Sequence, residues 1–104
     1  MLVQLTMFPS SKTDPAASTS AEVSKVIDII DKSGLSYKMG PMSTTIEGEW
    51  DEIMPVVNEA RLMLRKNNPR IYINMTIDDR KDAEGRITGK IKSIEEKLGR
   101  EVSK

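Results

Sequence analysis

The chain contains neither cysteine nor histidine among its 104 residues. Without cysteine there are no disulfides, thiolate nucleophiles or cysteine-based metal sites, and without histidine there is no imidazole acid–base chemistry. Aromatic residues make up only 4% of the chain, and Tyr72 alone cannot supply the stacking surface on which RNA-recognition sheets hold bases. The composition therefore argues against most familiar catalytic, metal-binding and nucleic-acid-binding sites.

The sequence also lacks an excess of either charge and any long apolar run. Lysine plus arginine and aspartate plus glutamate number 16 each, so net charge does not draw the chain to nucleic acid or an anionic membrane. No segment approaches the roughly 20 apolar residues of a membrane span, and the start at Met1–Leu5 is too short and polar for a signal peptide. We expect a soluble cytoplasmic protein with one domain over residues 1–104.

Hydrophobic periodicity divides the chain into strands and helices. Apolar residues alternate over residues 2–8, 35–39, 42–49 and 70–78, which predicts four strands. Helical spacing of apolar residues predicts helices over about 20–33, 50–66 and 87–98. The order β-α-β-β-α-β with a final helix is that of the ferredoxin-like pattern. We therefore predict an α+β fold: an antiparallel sheet in the order 4-1-3-2, its two main helices on one face, and a C-terminal helix.

The predicted sheet has an apolar face for the helices and an opposite face of mostly neutral polar residues. A face exposed to water usually collects Lys, Glu and Arg, so this one suits a polar ligand pocket or a contact between subunits, although Thr and Tyr also have high strand propensity. Whether Ser43, Thr45 and Glu47 or their neighbours join the polar face depends on register, which the sequence leaves open. The apolar face comprises Val3, Leu5, Met7, Leu35, Tyr37, Met39, Ile71, Ile73, Met75 and Ile77, and the polar face Gln4, Thr6, Ser36, Lys38, Tyr72, Asn74 and Thr76.

No catalytic arrangement stands out. The loop over residues 9–17 lacks the glycines and arginine of an acylphosphatase-like enzyme, and there is no Cys-x-x-Cys metal loop. The hydroxyl-rich segment 10–20 could hold an anion at the first helix N-terminus, but helix capping explains it equally well. The run 78–82 could bind a cation, but a charged loop is the simpler interpretation. We predict no enzyme activity, no cofactor and no metal site.

Two strand-end motifs give the most specific signal in the chain. Residues 41–48 read Pro-Met-Ser-Thr-Thr-Ile-Glu-Gly, and residues 77–80 read Ile-Asp-Asp-Arg. Together with Pro9 and Tyr37, they resemble the thiamine-binding protein family, in which Pro-Met-x-Thr-x-Ile-Glu-Gly and a last strand ending in Asp-Asp-Arg recur. The resemblance covers nearly the whole chain. It departs from the family at residues 9–12, where Pro-x-Gly-Thr is usual, and at Ser43, where Gly is common.

The resemblance implies a non-catalytic protein that binds thiamine or its hydroxymethylpyrimidine moiety. The resemblance also implies a protein similar to cytoplasmic homo-oligomers, commonly tetramers, whose sheets pack against one another. The implied partner is therefore a second copy of the chain, in a homodimer or homotetramer. Glu47 would accept a hydrogen bond from the pyrimidine amino group, and hydroxyls would orient the ring. The alternative is a homo-oligomeric regulatory or assembly module that senses another small molecule or an anion. The ligand-binding residues implied are Thr6, Ser18, Ser20, Thr44, Glu47 and Asn74.

Overall fold

The computed structural model describes residues 1–9, 20–81, 87 and 96–99. Its elements are β1 (Leu2–Pro9), α1 (Ser20–Lys32), β2 (Ser36–Met39), β3 (Thr44–Glu47), α2 (Trp50–Arg65) and β4 (Ile71–Asp78). The strands form one antiparallel sheet in the order β2-β3-β1-β4. This confirms the predicted α+β ferredoxin-like architecture and strand order. Residues 96–98 are helical, within the predicted C-terminal helix.

The two neighbours of β1 differ in length, and this difference shapes the functional surface. β4 pairs with β1 along its whole length, from Leu2 opposite Asp78 to Pro9 opposite Ile71. β3 pairs with β1 only as far as Leu5, which lies opposite Thr44. Beyond Leu5, β1 therefore has no β3 residue paired with it on that side. The turn over residues 40–43 lies beside this part of β1 instead.

The register of β3 settles which residues face the helices. Val3 lies opposite Ile46 and Leu5 opposite Thr44, so these four share the covered face. Thr45 and Glu47 consequently lie on the other side, which we call the open face, because successive side chains of a strand alternate. The buried hydrophobic core consists of Met1, Val3, Leu5, Met7, Val26, Ile30, Ile46, Ile53, Val57, Ala60 and Leu64.

Local signals set the ends of the two helices. Gly34 follows α1 with a φ of 79°, a left-handed conformation that glycine adopts without a Cβ penalty. Glu49 caps α2 in a capping box with Glu52, whose carboxylate accepts the Glu49 N–H at 2.9 Å. At the other end of α2, the buried Asn68 side chain donates to the Leu64 carbonyl at 2.9 Å and to Glu22 Oε1 at 3.3 Å. Asn68 thereby ties the end of α2 to the start of α1.

Three sequence predictions were wrong in detail. The second strand of the hairpin begins at Thr44, not at Met42, because the Gly40-Pro41 turn takes up residues 40–43. Trp50, predicted in the apolar stripe of α2, is 57% exposed at the first residue of the helix, and the buried stripe begins one turn later at Ile53. Met39, predicted on the covered face, is 62% exposed at the end of the edge strand β2.

Candidate functional site

A cleft of about 390 Å³ opens beside the second half of β1. It exists because β3 stops opposite Leu5, so that β1, α1 and the hairpin turn enclose space that a longer strand would fill. Its volume lies within the roughly 300–1,000 Å³ typical of small-molecule sites. The lining residues are Leu5, Thr6, Met7, Phe8, Val23, Val26, Ile27, Ile30, Met39, Gly40, Pro41, Met42, Ser43 and Thr44.

Hydrogen bonds hold the hairpin turn against β1 and so fix one wall of the cleft. Within the turn, the Gly40 N–H donates to the Ser43 carbonyl at 2.8 Å. Gln4 Nε2 donates to Ser43 Oγ at 2.9 Å, and Thr6 Oγ1 donates to the Met42 carbonyl at 3.3 Å. A Cβ on Gly40 would lie 3.0 Å from the Ser43 carbonyl oxygen, so the turn closes tightly only with glycine there.

The chemistry of the cleft is neutral and divided between two sides. α1 contributes the aliphatic side chains of Val23, Val26, Ile27 and Ile30. Thr6, Ser43 and Thr44 contribute hydroxyl groups. Thr6 Oγ1 already donates its proton to the Met42 carbonyl and can only accept from a ligand, whereas Ser43 Oγ accepts from Gln4 and keeps its proton to donate. Among the described residues that line the cleft, none carries a charge. Such a cleft suits a small, uncharged ring with a few polar atoms on its edge.

The structure describes the side chains of four of the six predicted ligand-binding residues, and they lie in two places. Thr6 and Thr44 both line the cleft, Thr44 from the covered face, where it is only 7% exposed, and Thr6 from the open face. Asn74 lies opposite Thr6 on the exposed side of β4. Glu47 lies opposite Leu2 and Ser36 on the open face. Ser18 lies outside the described residues, and Ser20 begins α1 with a side chain that the structure does not describe.

Glu47 and the cleft are therefore separate features. Glu47 lies three steps along the strand from Thr44, about 10 Å at roughly 3.3 Å per residue, and the two side chains lie on opposite faces of the sheet. A ring held by Thr44 inside the cleft does not reach Glu47. The grouping of all six residues around one ligand stays a prediction from the family resemblance.

The middle of the open face carries neutral polar and aromatic groups, and charged residues lie along the edge strand and at one end of the sheet, namely Lys38, Glu47 and Asp78. Gln4, Thr45 and Thr76 lie side by side on three adjacent strands, with Lys38 on the edge strand. At the end nearer the cleft, the Phe8 and Tyr72 rings stack with centroids 5.4 Å apart and planes inclined by 29°.

Tyr37, which the family pattern singled out, serves the fold in this structure. Its hydroxyl donates a hydrogen bond to Asp31 Oδ1 at 2.8 Å and so links β2 to the end of α1. That hydrogen bond, together with burial and the charge of Asp31, raises the pKa of Tyr37 above its usual 10.0. Tyr37 is not among the residues that line the cleft.

Metal and membrane sites were also sought in the described ranges. Within residues 1–9, 20–81, 87 and 96–99, no cluster of three or more acidic, cysteine or histidine side chains is placed to hold a metal ion. In the same part of the chain, no helix has the length and apolar character needed to cross a membrane.

Sequence reasoning missed the rim of the cleft. Met39, Met42 and Ser43 all line it, although none was predicted to contact a ligand. The departure from the family at Ser43 and the Gly40-Pro41 turn were the available signals. They could not locate the cleft, because its opposite wall comes from α1, which is distant in sequence.

The fold and the cleft define a small ferredoxin-like α+β protein with a pocket at one end of its sheet, whose described lining residues are uncharged. The chain belongs to the thiamine-binding protein family, whose model matches residues 3–95.

Relatives from distant organisms share the sequence and the fold. A UPF0045 protein of Methanocaldococcus jannaschii is 32% identical over 96 residues, covering 92% of this chain and 93% of the relative. The crystal structure of a hypothetical protein of the same organism superposes with a TM-score of 0.78 at 33% identity, covering 91% of this chain and 95% of that one. A Thermotoga maritima protein provisionally assigned to thiamine biosynthesis or salvage superposes with a TM-score of 0.75 at 26% identity, covering 89% and 96%.

Proposed function

We propose that this protein binds thiamine or its hydroxymethylpyrimidine moiety in the cleft without catalysing a reaction. The observation that carries the proposal is a cleft whose described lining is uncharged, with hydroxyls on one side, in a member of the thiamine-binding family. The Thermotoga maritima neighbour, provisionally assigned to thiamine biosynthesis or salvage, adds support.

In this proposal the cleft holds the pyrimidine ring. The aliphatic side chains of α1 contact the ring face. The hydroxyls of Ser43 and Thr44 donate to the ring nitrogens, and the Thr6 hydroxyl oxygen accepts from the amino group. A hydrogen bond between neutral groups contributes about 0.5–1.5 kcal/mol net, so these hydroxyls set orientation and selectivity while apolar contact supplies much of the affinity. The cationic thiazolium ring of thiamine extends out of the uncharged cleft toward solvent, because burying an unpaired charge is costly.

A thermal-shift panel tests this binding. Thiamine and hydroxymethylpyrimidine are titrated separately, with a pyrimidine nucleoside as the control. A ligand at one hundred times its Kd adds about 2.7 kcal/mol to the free energy of unfolding, which for a chain of this size raises Tm by roughly 10–20 °C. We expect saturable shifts with the first two compounds only. A well-folded protein that shows none, or that responds equally to the nucleoside, would contradict the proposal.

The open face supports a second proposal, that copies of the chain associate through their sheets into a homodimer or homotetramer. Its middle is neutral polar and aromatic, with Phe8 stacked on Tyr72, and its charged residues lie at the edge strand and at one end of the sheet. An uncharged centre with a charged periphery is typical of a subunit contact. If thiamine does not bind, such an assembly or regulatory module is the function that remains.

Sedimentation velocity tests the self-association. Thr76→Lys places a charge on the open face opposite Gln4 and should dissociate the oligomer. Glu59→Lys, on the exposed surface of α2, is the control that should leave it intact. A wild-type monomer at micromolar concentration, or equal behaviour of the two variants, would contradict association through the open face.

A further inference from the structure

The seven methionines of the chain differ sharply in exposure. Met1 and Met7 are buried at 5% exposed each, and residues 54, 63 and 75 are partly buried. Met39 and Met42 are 62% and 87% exposed. These two alone among the seven are largely exposed, and both line the cleft at the hairpin turn. We call them the rim methionines.

Hydrogen bonds fix the backbone of the hairpin turn, whereas the side chains of the rim methionines are exposed. The Met42 carbonyl accepts the Thr6 hydroxyl, and the Gly40 N–H and Gln4 side chain both bond to Ser43. The turn is thus anchored on both sides of Met42. A methionine side chain has three rotatable bonds and a polarisable sulfur that contacts aromatic rings favourably. From these positions the thioethers can fold over a ring in the cleft without any movement of the backbone.

We propose that the rim methionines close over the aromatic ring of the bound ligand and that peroxide oxidation of their thioethers reversibly switches binding off. This inference depends on the proposed function, because it concerns the ligand of the same cleft. It adds a modification site and a form of regulation that the shared fold does not imply.

A hydroperoxide such as hydrogen peroxide supplies both the oxygen atom and the oxidising equivalents for this step. The sulfur lone pair attacks the terminal peroxide oxygen, an S–O bond forms and the O–O bond breaks. The thioether loses two electrons and becomes a sulfoxide, while hydrogen peroxide is reduced to water. A sulfoxide is polar and chiral, so it no longer offers an apolar contact to a ring, and methionine sulfoxide reductases can restore the thioether.

Oxidative footprinting tests the contact. Full-length protein is treated with limiting hydrogen peroxide, with and without saturating thiamine, and the oxidation of each methionine is read by peptide mass spectrometry. Without ligand, residues 39 and 42 should oxidise faster than the buried residues 1 and 7. Thiamine should slow oxidation of the rim methionines at least threefold and leave unchanged the four methionines that do not line the cleft, residues 1, 54, 63 and 75. Uniform rates, or no protection by a ligand that calorimetry shows to be bound, would overturn the proposal.

Variants test the switch. Met39→Leu/Met42→Leu keeps the rim apolar but lacks the oxidisable sulfurs, so its affinity for thiamine after peroxide should stay within about twofold of its own untreated value. Met39→Gln/Met42→Gln imitates the polarity of the sulfoxide and should lose roughly five- to tenfold in affinity, as oxidised wild-type protein should. Because both positions are exposed, circular dichroism should show all variants folded.

The outcomes separate this inference from the proposed function. If untreated wild-type protein binds neither thiamine nor hydroxymethylpyrimidine, both proposals fall. If it binds but oxidised protein binds equally well, the switch alone is refuted. Recovery of affinity after treatment with methionine sulfoxide reductase would establish that the effect is reversible and specific to methionine.

Discussion

Replacement of Thr44 by valine tests whether the ligand binds in the cleft or on the open face. Thr44 lines the cleft and is 7% exposed, on the covered face of β3. Its neighbour Thr45 is partly buried and faces the other side of the sheet, opposite Gln4 and Lys38. Thr44→Val and Thr45→Val remove the same hydroxyl from adjacent residues of one strand, so each is the matched control for the other.

The expected magnitude follows from the lost hydrogen bond. A hydrogen bond between neutral groups is worth about 0.5–1.5 kcal/mol, which corresponds to roughly a 2- to 12-fold loss of affinity. We expect this loss for thiamine and for hydroxymethylpyrimidine with Thr44→Val, because both carry the pyrimidine ring. Thr45→Val should leave both Kd values within twofold. Stability should not fall with Thr44→Val, because a methyl group replaces a hydroxyl at a buried position.

Isothermal titration calorimetry is the appropriate assay, with thermal unfolding of the free variants to confirm that they are folded. The reasoning would be refuted if Thr45→Val weakened binding more than Thr44→Val did. That outcome would place the ligand on the open face, where Glu47 also lies. Glu47→Gln, measured in the same series, should have no effect if the cleft is the site and should weaken binding if the open face is.

Three further predictions concern the fold around the cleft. Asn68→Ala removes a buried amide that bonds the end of α2, and should lower the free energy of unfolding by about 1–3 kcal/mol in urea denaturation; an unchanged midpoint would contradict the role given to that amide. Tyr37 has a raised pKa in the folded state, so its bond to Asp31 stabilises the protein fully below pH 10.0 and this contribution is lost as pH rises through the folded-state pKa. In a variant that retains only this tyrosine, ultraviolet titration should give a midpoint above 10.0 that falls when Asp31→Asn is added; no change on that addition would exclude the carboxylate as the cause. Gly40→Ala forces a 3.0 Å contact in the turn, so it should weaken ligand binding while urea denaturation shows the fold intact, whereas wild-type affinity would mean that the turn does not shape the cleft.

Much of the fold could be predicted from the sequence because its signals are local. Alternation along β1 and β4 and helical spacing in α2 predicted those elements, and their predicted ends lie within one residue of the observed ones. The glycine after α1 adopts the left-handed conformation expected of it. Each of these signals acts over a few neighbouring residues, which a sequence displays directly.

The site was harder to predict because it depends on where one short strand ends. Thr44 and Thr45 look alike in the sequence, and only pairing with β1 decides that the first faces the helices and the second does not. The cleft arises from the early end of β3 together with the position of α1, two features that no local pattern encodes. The family resemblance supplied Thr6 and Thr44, whereas the rim methionines required the structure.

The central claim is that the cleft holds thiamine through its pyrimidine ring, and amide chemical-shift mapping by NMR during a thiamine titration tests it most directly. We predict saturable shifts concentrated at residues 5–8, 23–30 and 39–44, with little change at Ser36 and Glu47 at the far end of the hairpin. Hydroxymethylpyrimidine should shift the same amides. Shifts centred on Glu47 and its neighbours, or no saturable shifts at millimolar thiamine, would contradict the account.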